Sequence, residues 1–279
     1  MTEMTGRVVA ITGGARGIGL ATAQALGRKG ARVAIGDLDP VGAEAALPEL
    51  GADALGLGLD VTDRDSFRGF LDIVEERLGP VDVLVNNAGI MPLGRFADED
   101  DEVTDRILAV NLSGVVTGTK LALERMLPRR AGQVVNIASQ VGRGPFAGAA
   151  TYAATKHGVI GLSSSLSDEL EGSGVEISCV MPAVVRTAMT AGVRSPHLMG
   201  ALGPEDVAEA VADVIGNPRR SVHVPRIAAA IGPAAMLPTP VRHTVESVLG
   251  ARNLLLDRDE QPRREYEEQV AERSGGRQV

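Results

Sequence analysis

The chain has 279 residues, 44% of them hydrophobic and 23% charged, with a net charge of −8. That is ample material for a globular core, and the acidic balance argues against a nucleic-acid partner. A single cysteine, Cys179 in the apolar run VEISCVMP, excludes an intrachain disulfide framework and suits a reducing cytoplasm. His157, His197, His223 and His243 lack ligand spacing, so no metal site is expected. The N-terminal MTEMTGRVVAIT has no basic stretch followed by a long apolar one, and no signal peptide is expected. No window supplies the roughly 18 uninterrupted apolar residues of a transmembrane helix, so no integral membrane segment is expected.

In chain order, Arg7–Ile11 reads as a buried strand and Gly17–Gly30 as an alanine-rich helix. Strand 32–36, helix 40–50, strand 54–59, helix 63–78 and strand 81–85 follow. In the helix at 63–78, Thr62 is the predicted cap and Asp65 the box residue, while Phe67, Phe70, Leu71, Val74 and Leu78 share one face. Gly79-Pro80 stops it. A long helix is predicted over Asp98–Leu127, with the acidic run DEDDE in its first turn, where carboxylates favour the helix dipole. Strand 133–138, helix 150–171, strand 175–180, helix 204–216 and strand 221–225 complete the series. Seven apolar strands alternating with helices predict an α/β fold, a parallel sheet covered on both faces.

Residues 226–279 break the alternation. They run through RIAAAIGPAAMLPTP and an amphipathic VRHTVESVLG into a charged tail containing Tyr266. A helical extension packed near the substrate side is the preferred reading. A subunit contact and peripheral membrane contact are the alternatives. The principal domain is thus 1–225.

Between the first strand and first helix lies TGGARGIG. Glycines there let the backbone turn tightly and approach a pyrophosphate, whose charge meets free N–H groups at the helix start. Gly13, Gly17 and Gly19 give the spacing G-x-x-x-G-x-G, with Arg16 and Ile18 between them. Asp37 follows the second strand, where a carboxylate accepts ribose hydroxyls and repels a 2′-phosphate. Arg16 pulls the other way, so NAD is favoured and NADP is the alternative. Asp39 reads as a turn residue before Pro40. Asp60 and Val61 follow the third strand, and Asn87, Ala88 and Gly89 the fourth. Ligands of open α/β sheets collect at those strand ends.

Tyr152 and Lys156, in TYAATKHG, stand four residues apart and share one face of the predicted helix. A free phenol has pKa about 10. A cation a few ångströms away is worth roughly 4 kcal/mol to the phenolate at an effective dielectric of about 20, which would bring the phenol toward useful acid/base range. Asn111 lies inside a long helix, where Asn is a poor fit. Ser139 ends the fifth strand, thirteen residues before Tyr152, where a hydroxyl could share a substrate oxygen with the phenol.

Together TGGARGIG, Asp60, NNAG, Asn111, Ser139 and YAATK resemble, in order and interval, the short-chain dehydrogenase/reductase family over residues 7 to about 225. The resemblance implies a Rossmann-like doubly wound fold, a nicotinamide cofactor and a catalytic tetrad of Asn111, Ser139, Tyr152 and Lys156. It also implies that Pro182, Val185 and Thr187 of PAVVRTAM meet the nicotinamide, with Ala183 replacing the usual glycine. A homodimer or homotetramer, built on the two long helices, is implied in the same way. The segment SSSLSDE after Tyr152 reads as a solvated or inter-subunit face.

The expected activity is NAD(H)-dependent interconversion of a secondary alcohol and a ketone. The expected pocket walls are Met91, Gln140, Val141, Phe146, Ala183, Val184 and Met189, with loop 188–203 as a lid. Their apolar character points to a hydrophobic substrate, with no arginine or lysine clearly placed to clamp a carboxylate. The alternatives are an NADPH-dependent ketone reductase and a non-catalytic nucleotide-sensing protein that kept the fold.

Overall fold

The computed structural model describes residues 4–51, 53–193, 202–248 and 254–275. Seven strands form one parallel sheet: β1 Val8–Thr12, β2 Arg32–Asp37, β3 Leu55–Gly58, β4 Val83–Asn86, β5 Gly132–Ile137, β6 Val175–Pro182 and β7 Ser221–Val224. Their order across the sheet is β3-β2-β1-β4-β5-β6-β7. Because successive side chains point to opposite faces, β1 divides its residues between two cores. Val9 and Ile11 pack with Val33, Ile35, Val83 and Val85 on one face, and Val8 and Ala10 with Phe67, Phe70 and Leu71 on the other. Strands buried on both faces have to be apolar throughout, which is why they lack polar alternation.

Helices α1 Gly17–Arg28, α2 Pro40–Ala45 and α7 Pro204–Gly216 cover the first face through Ala23, Leu26, Ala43, Val211 and Ile215. Helices α3 Arg64–Leu78 and α5 Gly114–Met126 cover the second through Phe67, Leu71, Leu121 and Met126. Helix α6 Ala150–Glu169 packs against β6. This is a doubly wound, Rossmann-like α/β fold. Strand β1 pairs with β2 on one side and β4 on the other, so the connections diverge there. A crevice opens at the carboxyl ends of β1 and β4, the point at which such sheets bind ligands.

The long helix expected over 98–127 starts three residues later and carries a π-turn. A short 3₁₀ turn covers Phe96–Asp98, α4 runs Asp101–Leu108, and a π-turn at Ala109–Ser113 leads into α5. Of DEDDE, only Asp101 and Glu102 fall in the first helical turn. Among the described residues, Asp101–Met126 is the one helical stretch long and apolar enough to cross a membrane. It packs inside the protein instead, burying Ile107, Val115, Leu121 and Met126.

Two further expectations are corrected. Asp63, not Thr62, caps α3, accepting from the backbone N–H groups of Asp65 and Ser66; Thr62 turns back to Asp60, its N–H and Oγ1 donating to Oδ1 at 2.9 and 2.6 Å. Asp63 wins because a carboxylate one residue nearer the helix reaches both open N–H groups. The SSSLSDE segment is not wholly a solvated face. Ser163 is buried and accepts from Asn136 Nδ2 at 3.0 Å, and Ser167 Oγ donates to Ile177 O at 3.2 Å.

Ser163 ends a buried polar chain across the sheet. Asn86 and Asn136 are register partners on β4 and β5. Asn86 Nδ2 donates to Asn136 Oδ1 at 2.9 Å, and Ser163 Oγ donates to Val159 O at 2.7 Å. Beyond β7, the chain forms α8 Ile231–Ala235, α9 Thr239–Val248 and α10 Glu260–Gly275.

Asn136→Ala strands a buried donor on Asn86 and an acceptor on Ser163. It is expected to cost roughly 1–3 kcal/mol of stability by urea denaturation. A loss well below that range would show that the two groups find other partners.

Candidate active site

The glycine-rich turn fits a phosphate for reasons visible in its backbone. Gly13 and Gly17 take φ values of 65° and 58°, a region that side chains disfavour. A Cβ on Gly19 would lie 2.1 Å from Gly13 O, so α1 closes onto the turn only with glycine there. Helix α1 has no side-chain cap and no acidic residue in its first turn. Its N–H groups and the positive end of its dipole are therefore open to an anion.

Asn87 joins this turn to β4. Its Nδ2 donates to Thr12 O and Gly13 O, both at 2.9 Å. Thr12 Oγ1 accepts from the backbone N–H groups of Asn87 and Ala88, both at 3.0 Å. Asn87 thus ties the end of β1 to the end of β4. Thr12 was not anticipated, although a threonine closing an apolar strand before a glycine turn is a readable signal. Asp37 is buried, its two oxygens accepting from Ala15 N and Asp39 N at 3.1 Å each. Arg16 is exposed beside the same crevice. Asp39 caps α2 through Gly42 N at 2.9 Å.

A cavity of about 720 Å³ runs from this turn past the strand ends. Of the residues singled out from sequence, Gly13, Arg16, Gly17, Ile18, Asp37, Asp60, Val61, Asn87, Ala88, Gly89, Ser139, Tyr152, Lys156, Pro182, Val185 and Thr187 line it. Gly19 and Asn111 do not. The seven expected pocket walls, from Met91 to Met189, all line it as well. Arg106 and Arg242 also reach its wall, which the sequence reading did not foresee. Of the expected lid, residues 194–201 lie outside the described residues.

Tyr152 and Lys156 project from one face of α6 and are both buried. Lys156 Nζ donates to Ile137 O at 2.9 Å and sits 5.6 Å from the Tyr152 ring centre. Ser139 hydrogen-bonds the phenol, while its Oγ also accepts from Val141 N at 3.1 Å. Asn111 sits in the π-turn, fully buried. Its Oδ1 accepts from Ile90 N and its Nδ2 donates to Ile90 O, both at 2.8 Å. Its side chain is therefore engaged on the loop after β4 and reaches the site only through that loop. An insertion of this kind in a helix is characteristic of functional sites.

The expected depression of the phenol is not what the structure holds. Burial pushes Tyr152 up to about 12, with the Ser139 hydrogen bond opposing the rise. Burial also brings Lys156 down to about 8. Withdrawal from water disfavours phenolate and ammonium alike, and here it outweighs the attraction anticipated from the four-residue spacing. Near neutral pH the site holds a protonated phenol beside an ammonium that can still release its proton.

Beyond the expected residues, Tyr266 of α10 was passed over as part of a charged tail. It is buried in the cavity wall, and its oxygen accepts from Met91 N at 3.1 Å. Arg263 lies beneath its ring, 4.6 Å from the centre. Only the rarity of tyrosine, two in the chain, hinted at this.

The fold, the phosphate-fitting turn and this cluster define a nucleotide-binding oxidoreductase. The chain belongs to the short chain dehydrogenase family, which it matches over residues 7–197; that family uses nicotinamide cofactors. It is 36% identical over 216 residues to the 3-oxoacyl-(acyl-carrier-protein) reductase FabG of Escherichia coli, covering 74% of this chain and 88% of that one. It is 38% identical over 227 residues to 2-(S)-hydroxypropyl-CoM dehydrogenase 3 of Xanthobacter autotrophicus, covering 75% and 89%. Among solved structures it is similar to levodione reductase, with a TM-score of 0.75 at 28% identity over 79% of this chain and 96% of that one.

Proposed function

We propose that the protein is an NAD(H)-dependent oxidoreductase that interconverts a secondary alcohol and a ketone, with an apolar substrate. The observation that carries this reading is Tyr152, Ser139 and Lys156 on the wall of the same cavity as the glycine turn and Asp37. The bound nicotinamide supplies the hydride for reduction or accepts it in oxidation. Gly13, Gly17 and the N-terminus of α1 would hold its pyrophosphate, Asp37 the adenosine ribose, and Val185 and Thr187 its carboxamide.

In ketone reduction, Tyr152 donates its phenolic proton to the substrate oxygen as negative charge develops there. The phenol carries that proton at neutral pH. Ser139 shares the same oxygen and orients it. Donors fixed before the reaction stabilise a developing oxyanion without reorganising. Lys156 offsets the charge left on the phenol and would hold the nicotinamide ribose. Asn111 acts through Ile90, holding the loop after β4 against the π-turn.

The second reading is an NADPH-dependent ketone reductase. Arg16, exposed on the crevice, favours it, since a guanidinium there would pair with a 2′-phosphate. The Asp37 carboxylate opposes it. A cytoplasmic location is supported by the single buried cysteine. A homodimer or homotetramer is proposed on family resemblance, and sedimentation of the purified protein tests it.

Tyr152→Phe is expected to keep NADH binding and lose about a hundredfold or more in turnover, in line with removal of a general acid. Retained activity on secondary alcohols or ketones would sink the assignment. Asp37→Ala should narrow the difference between the thermal shifts given by NADH and NADPH; an unchanged preference would remove Asp37 from the decision. The pH profile of ketone reduction follows from the lysine. Lys156 is charged below about 8 and neutral above it, while the phenol keeps its proton to about 12. The rate should thus be level below pH 8 and fall above it. In Lys156→Met that limb should vanish from whatever rate remains, and its persistence would assign it elsewhere.

A further inference from the structure

Helix α10 lies outside the residues that match the family, yet it closes the cavity over Tyr152. Its anchor is Arg263, which is 1% exposed. One guanidinium nitrogen donates to Met189 O at 2.7 Å, another to Met91 O, and Nε to Glu267 Oε1 at 2.8 Å. The same Glu267 oxygen accepts from Leu93 N at 3.3 Å, and Arg258 Nη2 donates to Leu93 O at 2.9 Å. The loop after β4 and the loop after β6 are thus joined through the C-terminal segment. A buried guanidinium is tolerable only when its donors are matched in this way.

What this scaffold presents to the cavity is Tyr266. Its ring rests on Arg263, and one lone pair of its oxygen is taken by Met91 N–H. Its own O–H has no acceptor among the described residues. The surrounding wall is apolar, with Met91, Phe146, Met189, Val193 and Leu255 forming one cluster with Tyr152. A buried hydroxyl proton without an acceptor is costly, so this donor is supplied with an acceptor when the site is filled. Ionising either phenol would raise the pKa of the other, so the two stand in one electrostatic environment.

We propose that Tyr266 is a specificity-determining residue whose O–H donates to a second acceptor oxygen of the substrate, so that the protein prefers dicarbonyl compounds, such as diketones and keto esters, to simple ketones. Tyr152 and Ser139 hold the oxygen that reacts, and Tyr266 holds the one that does not. The inference rests on the oxidoreductase reading above. Arg263 is a positioning residue here, since its donors are spent on the two loops and on Glu267.

Two shape-matched pairs test it: ethyl 3-oxobutanoate against 2-heptanone, and cyclohexane-1,4-dione against cyclohexanone. The wild-type protein with NADH should favour the dicarbonyl member of a pair by about tenfold in kcat/KM, the scale of one neutral hydrogen bond. Tyr266→Phe, which keeps the ring but also removes the acceptor of Met91 N–H, should abolish that preference, lowering kcat/KM for the dicarbonyl member about tenfold more than for its simple ketone. Equal effects on both members, or none, would overturn the proposal, because a purely structural role for the phenol disturbs both alike. Calorimetric binding of the four compounds to the cofactor-loaded protein repeats the comparison without turnover. A Tyr152→Phe variant that still turns over would defeat the catalytic reading while the binding selectivity still reports on Tyr266. If the wild-type protein binds none of the four, the proposed class is wrong.

Discussion

The parting between β1 and β4 is the constraint on which the site depends, and one amide keeps it in shape. Asn87 Nδ2 bonds the carbonyls of Thr12 and Gly13, while Thr12 Oγ1 gathers the N–H groups of Asn87 and Ala88. Those carbonyls and N–H groups lie where the β1–β4 pairing stops, just past Ile11 and Val85. Left unpaired and partly buried, each would cost on the order of 1–3 kcal/mol. Pairing them through side chains lets the crevice stay open beside a rigid floor. The open N-terminus of α1 and the end of β4 then face one another across it.

Burial dominates the chemistry beyond that crevice. Tyr152 and Lys156 are both withdrawn from water, and that is the largest cause of the shift toward the neutral form in each. The ammonium keeps a partner in Ile137 O, at the end of β5. This gives the pair a division of labour: the phenol stores a proton, and the lysine is the group whose charge changes in the physiological range. The arrangement differs from a phenol lowered by a neighbouring cation.

Much of this was legible in the sequence, because strand periodicity, glycine spacing and the order of polar residues at strand ends are local features. Helix α7 and the seven strands fall close to their expected positions for that reason. Most of the misses have a different cause. The cap of α3 turned on which of two adjacent polar residues reached the helix N–H groups. The π-turn at Asn111 depends on Ile90, 21 residues away. Ser163 is buried because Asn136 needs an acceptor, and Tyr266 because the loops at Met91 and Met189 need a cover. The cap is a local choice, but in the other three cases a distant partner overrides local composition, and a charged tail conceals a buried arginine that bonds two backbone carbonyls.

That last case bears on how one fold serves many substrates. The groups proposed to move the proton, Tyr152 and Lys156, belong to the matched part of the chain, where α6 packed on β6 holds them. The far wall of the cavity is built from α10 and from Leu254 and Leu255, which lie beyond the last strand. A segment added after the sheet is complete can change its side chains without altering the crevice, provided it meets the two loops with matched hydrogen bonds. Arg263 meets that condition through main-chain carbonyls, which every residue supplies. The side chains of Met91 and Met189 thus take no part in the anchor and are left to face the cavity.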